Sequence, residues 1–204
     1  TPTAGSLVIA APTITVAGVI DANASGFNGG QGAGTSTCDG SGGGYGGQGG
    51  FGHTCMASGP VHGSATSRSV ELGSGGANAS SDSGGRGGGR VVLRAGTVTV
   101  SGSVEADGGR GTADDSFSEG GGGSGGGILL DATSRIDVSG VLSARGATGH
   151  STGFAAAGGG GGRIKLFAPA GTMTGLARVD GGGGGTRGPF TGTAGASGTY
   201  FELF

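Results

Sequence analysis

Two cysteines, Cys38 and Cys55, and two histidines, His53 and His62, fall within one stretch of this 204-residue chain, and they are the residues with the most chemistry to offer. Thiolates and imidazoles together can hold zinc, but the C-x2-C and H-x3-H spacings of standard sites are absent. The cysteines read instead as a disulfide closing a short loop, worth about 3 kcal/mol on the chain-entropy estimate, and such a bridge points to an oxidising compartment. Tyr45, Phe51, His53 and Met56 lie in the same stretch. They form the most distinctive candidate surface for a partner such as a cell-surface glycan or receptor; the competing reading is that these aromatics anchor the stretch to the rest of the fold.

The acids could in principle supply paired-carboxylate chemistry on polysaccharides or ligate calcium. Asp107, Asp114 and Asp115 are the densest group, with Glu119 following, yet they sit in a Gly-rich loop without a calcium-repeat motif. Asp131 and His150 have no nucleophile partner nearby in sequence. Solvation is the expected role, and no catalytic residue, metal or cofactor is expected.

What must position these residues is unusual, because 58 of the 204 residues are Gly. Collagen is excluded, since Gly does not recur at every third position and there are 5 Pro. With 11 Lys and Arg against 13 Asp and Glu, the net charge of -2 argues against a nucleic-acid partner. No apolar run is long enough for a membrane-spanning helix. The large aliphatic residues gather in windows 6–22, 90–106, 128–144 and 163–179, plus 200–204, with long Gly-rich segments between them. Disorder gives no reason for such clustering.

The windows are copies of one another: SLVIAAPTITVAGVIDA, RVVLRAGTVTVSGSVEA, ILLDATSRIDVSGVLSA and RIKLFAPAGTMTGLARV. Each carries a Gly at the same point, Gly18, Gly102, Gly140 and Gly175, with apolar residues alternating on both sides. Period two means strand, and a Gly shared by all copies marks a corner between two strands. The third copy needs one inserted residue near Thr133 to keep register. Ala22, Ala106 and Ala144 repeat as small inward residues, whereas Thr13, Thr15, Thr97, Thr99, Thr172 and Thr174 line up outward, an array interrupted by Arg135 and Asp137. Flat Thr arrays suggest ice binding, which is kept as a distant alternative beside a polysaccharide-active enzyme.

A repeat this short cannot bury its own apolar face and must stack on the next copy. The expectation is one all-β domain over 1–204, a parallel β-helix or β-solenoid of about four irregular rungs with a long insertion at 23–89. The G-G-X steps Gly43-Gly44-Tyr45, Gly46-Gly47-Gln48 and Gly49-Gly50-Phe51 suggest that the excursions pack as a polyglycine-II-like layer.

A Gly run followed by Arg-Ile-Lys-Leu or Arg-Val-Val-Leu, a strand pair and an ending such as Glu105-Ala106-Asp107-Gly108-Gly109 resembles the Gly-rich repeats of large extracellular bacterial surface proteins. That resemblance implies a secreted solenoid with structural or adhesive work. Over shorter stretches the G-G-X runs resemble the Gly-rich domain of phage tail-fibre adhesins, in which packed Gly-rich helices display receptor-binding loops. Tyr200-Phe201-Glu202-Leu203-Phe204 reads as a partial rung, with Phe201 and Leu203 matched to Ile164 and Leu166. Leu7 and Ile9 at one end, and Phe201, Leu203 and Phe204 at the other, are therefore the candidate assembly residues of an extracellular subunit stacking head to tail into a fibre or surface layer. An adhesin is the alternative.

Overall fold

The structure, a computed structural model, describes residues 5–52, 56–80, 82–113, 119–151 and 155–204. Its strands are β1 (Ser6–Val16), β2 (Val19–Asp21), β3 (Arg90–Val100), β4 (Ser103–Glu105), β5 (Gly127–Val138), β6 (Val141–Ser143), β7 (Arg163–Phe167), β8 (Gly171–Met173), β9 (Leu176–Arg178), β10 (Thr186–Arg187), β11 (Phe190–Thr191) and β12 (Thr199–Leu203).

The first sheet has six strands in the order β1-β3-β5-β7-β12, with β8 also on β5; the second has four, β2-β4-β6-β9. Both are parallel and keep one register, so Ser6, Arg90, Gly127, Arg163 and Thr199 form one column across the first sheet. Val19, Ser103, Val141 and Leu176 do the same across the second. Alternation then assigns the faces. Val91, Leu93, Ile128, Leu130, Ile164 and Leu166 turn inward and join Val104, Leu142, Ala106 and Ala144 of the second sheet's side in one buried cluster.

The sheets are flat, and neither closes nor curls, so the expected solenoid is corrected to two open parallel sheets around a shared core. The physical reason lies in the Gly-rich segments. They carry too few side chains to build a third wall with its own inward ladder, and their backbones bond to one another instead.

That bonding has a threefold pattern. Along 157–162 the successive N–H groups donate to Gly40, Thr193, Ala147, Gly43, Ala196 and Ala144, so that every third bond returns to the same neighbouring segment. Three residues per turn is the period of an extended polyproline-type helix, and the bonds satisfy buried amides that no strand would reach. Side chains are excluded here, since a Cβ on Gly158, Gly159 or Gly160 would come within 2.0–2.2 Å of a neighbouring carbonyl oxygen.

The extra residue of the third window is absorbed as a bulge. Ala95 pairs with Ala132 but Thr97 pairs with Arg135, leaving Thr133 and Ser134 opposite Gly96. The corner glycines stack closely. A Cβ on Gly102 would lie 1.9 Å from the Gly18 oxygen, one on Gly140 1.9 Å from that of Gly102, and one on Gly175 2.0 Å from that of Gly140.

Part of the outer face of the first sheet, around Val92, Leu129 and Lys165, is covered by residues 62–71 of the long Gly-rich excursion. Val70 packs with Val92, Leu129 and Phe167 in a second apolar cluster, and Arg68 stacks 4.9 Å over Phe167. Lys165 is fully buried beneath this strap, its ammonium donating to the carbonyls of Ser64 (2.5 Å), Ser67 (3.0 Å) and Ser69 (2.7 Å). Desolvation, with help from the nearby Arg163 charge, pushes the amine from 10.5 down to about 8. Between those two values the unfolded chain holds more protons than the folded one, so the Lys165 contribution grows more favourable as pH rises from 8 toward 10.5. Lys165→Met is expected to cost about 1–3 kcal/mol, because it removes the donor shared by three strap carbonyls, and to make 62–71 a site of proteolytic cleavage. Denaturant titrations of both proteins across that pH range check this: the gap between them should widen as pH rises.

Candidate functional site

The aromatic stretch with the look of a binding surface divides between interior and surface. Tyr45 is 1% exposed, so its assignment to partner binding is corrected. Its hydroxyl accepts the Glu71 amide at 2.7 Å, its ring meets His62 at 4.9 Å, and Arg163 lies over it at 5.4 Å. Burial pushes the phenol up to about 12. Tyr45 thus fastens the Gly-rich layer to the strap. Phe51 is half-buried, its amide donating to Thr193 Oγ1 at 2.6 Å, while Met56 is 88% exposed. Cys38 is disulfide-bonded; His53 and Cys55 lie outside the described residues.

One arrangement that sequence reasoning missed has the outline of a hydrolytic triad. His62 Nε2 is 3.1 Å from Ser74 Oγ, and His62 Nδ1 is 3.0 Å from Glu71 Oε2. Geometry alone would suggest a nucleophile and its base. Access decides against it, because Ser74 has no exposed surface and its Oγ accepts the Gly34 amide at 2.9 Å. The three groups tie strap to layer.

The acids are also occupied with structure. Asp107 accepts from Ser143 Oγ, the Arg145 amide and the Arg145 guanidinium, while Asp131 takes Arg68 at 2.9 Å. Asp114 and Asp115 lie outside the described residues. The Thr array is shorter than the sequence implied, because Thr172 pairs with Asp137 in the column of Thr15 and Thr99, and Thr174 falls one step beyond it. The Arg135 hydrogen bond, with a further one from Thr172, holds the Asp137 carboxyl below the usual range.

What remains open is the pair of strand edges at the two ends of the stack. At one end β1 and β2 have, among the described residues, neighbours on one side only. They expose Leu7 (39%), Val8 (53%) and Val19 (66%), with Ile9 and Ile20 partly buried. A hollow of about 280 Å³ opens between Leu7 on the first sheet and Ile20 on the second. At the other end the edge is stepped. β12 covers β7, whereas β8 and β9 carry no further strand among the described residues, and Leu176 is 53% exposed.

The register of β12 differs from the one expected. Phe201 pairs with Lys165 and Leu203 with Phe167, while Tyr200 and Glu202 take the inward columns of Ile164 and Leu166. Phe201 therefore packs on the outer apolar cluster, its ring 5.5 Å from that of Phe167. Leu203 and Phe204 are 54% and 40% exposed. The expected match slipped by one residue, which in a strand exchanges the two faces.

Gly18 differs from the other corner glycines. Every later corner Gly is required by a carbonyl of the preceding row, but among the described residues a Cβ on Gly18 would meet nothing within 4 Å, and its φ is not in the left-handed region. Corner bonds run from Ser103 N–H to Gly18 O, from Val141 to Gly102 and from Leu176 to Gly140, each at 2.9 Å. By the same rule Val19 offers an N–H at one end of this column and Gly175 a carbonyl at the other.

No family model, no curated protein and no solved structure matches this chain.

Proposed function

We propose that this protein is an extracellular structural subunit that assembles head to tail, the β1–β2 edge of one copy continuing the stack beyond β8 and β9 of another. The observation that carries the reading is the corner column, in which Gly102, Gly140 and Gly175 each face a carbonyl of the preceding row and Gly18, among the described residues, faces open space.

Side chains support the same pairing. Set one row beyond β9, β2 brings Val19 beside Leu176 and Asp21 beside Arg178, because these residues already occupy one column within the chain. Two exposed apolar residues are thereby covered and opposite charges meet. Edges that mate heterologously without closing a ring generate filaments, and unprotected parallel edges are the surfaces on which such pairing starts. The Cys38 disulfide fits an extracellular setting. In this reading the long Gly-rich excursion is structural, since its aromatic Tyr45 is spent holding the fold together.

Negative-stain electron microscopy of the concentrated protein tests the proposal. Unbranched, single-file filaments that lengthen with concentration are the expected result; dispersed particles at every concentration would refute it.

A further inference from the structure

Resting on that head-to-tail reading, we infer that β12 is a placeholder strand, occupying half of the acceptor edge until β1 of an incoming copy displaces it. If a second copy pairs its β2 with β9 in the column register, its β1 must lie on β7 and β8. The β7 half of that place is already filled by β12. The two strands compete for one position.

The inward columns favour the newcomer. Across the first sheet they read Leu7, Val91, Ile128, Ile164 and Tyr200, and Ile9, Leu93, Leu130, Leu166 and Glu202. Both are aliphatic until β12, which ends them in a phenol and a carboxylate bonded to each other. Burial raises the Tyr200 phenol, with the Glu202 carboxylate adding to the rise. An inward charge on an edge strand is a known device against further pairing, and here it spoils only the strand that carries it. An incoming β1 places Leu7 on Ile164 and Ile9 on Leu166, and continues past the end of β12 to lay Ile14 on Gly171 and Val16 on Met173. The incoming strand has 11 residues against 5 for β12. Released β12 swings out at Gly198, whose own amide bonds to Val179 O.

The test is the full-length double variant Tyr200→Ile/Glu202→Leu, which gives β12 an apolar inner face. A placeholder held more firmly slows assembly, and the filament growth rate followed by light scattering should fall at least about tenfold. If copies instead stack on top of β12, the variant removes a buried charge from the junction and assembly accelerates, which overturns the inference while leaving head-to-tail assembly standing. Hydrogen exchange on the wild type gives a second readout: on assembly the amides of 199–203 should lose protection while those of 6–16 gain it. Protection retained at 199–203 in filaments would equally overturn it. A wild-type chain that never assembles removes the head-to-tail reading and this inference together.

Discussion

Gly140→Ala is expected to destabilise the folded chain by about 3–5 kcal/mol, more than most single substitutions. The added methyl would sit 1.9 Å from the Gly102 carbonyl oxygen. That atom cannot move aside cheaply. Gly102 O accepts the Val141 amide at 2.9 Å, and the Gly140 amide bonds to Val100 O at 3.1 Å, so both sides of the clash are tied into the stack. Relief requires the rows to separate locally, which breaks those bonds and opens the core around Val138 and Leu142, both buried. Thermal or denaturant unfolding of the variant measures the loss; a change below about 1 kcal/mol would mean the rows are looser than this close contact implies.

The same substitution one column-end away has the opposite expected profile. Gly18→Ala should leave folding stability within about 0.5 kcal/mol of the wild type, as for a surface change without new contacts, because its methyl meets nothing within 4 Å. Its effect falls on association. By the geometry repeated at Gly102, Gly140 and Gly175, the methyl would lie about 2 Å from the Gly175 oxygen of a second copy. It would also hold the Val19 amide away from that oxygen. Filament formation should be lost at concentrations where the wild type assembles. A variant that assembles normally would show that Gly18 does not face another copy, and a variant that unfolds would show that its surroundings are more crowded than they look.

Much of this architecture was legible in the chain. Alternation around Gly18, Gly102, Gly140 and Gly175 gave the strands, their parallel register and the bulge at Thr133, because period-two burial leaves a direct trace in sequence. Closure of the sheets left no such trace. It depends on whether the Gly-rich segments form a wall or a separate backbone-bonded layer, and Gly has no side chain to record the choice. Reading Phe201 and Leu203, the apolar residues of β12, as core residues puts that strand one residue out of register. In the fold the strap carrying Val70 provides a second apolar surface on the outer face, and Phe201 packs there. Of the two readings open for Tyr45, a partner surface or an anchor, the fold bears out the anchor, and nothing local in sequence decides between them because the choice depends on residues 62–71 folding back over it.

The edges were legible only in part. Leu7 and Ile9 stood out as apolar residues at the start of the stack, but the significance of Gly18 comes from comparing the space at its Cβ position with that at the other three corners. Asp21 and Arg178 likewise acquire meaning through the shared column, as they are far apart in sequence and unremarked as a pair.

Sedimentation velocity of the oxidised wild-type protein over a wide concentration range tests the central claim most directly. Head-to-tail joining of the open strand edges predicts a series of species heavier than 18.7 kDa that shifts to larger sizes with concentration. A single 18.7 kDa species at every concentration would contradict it.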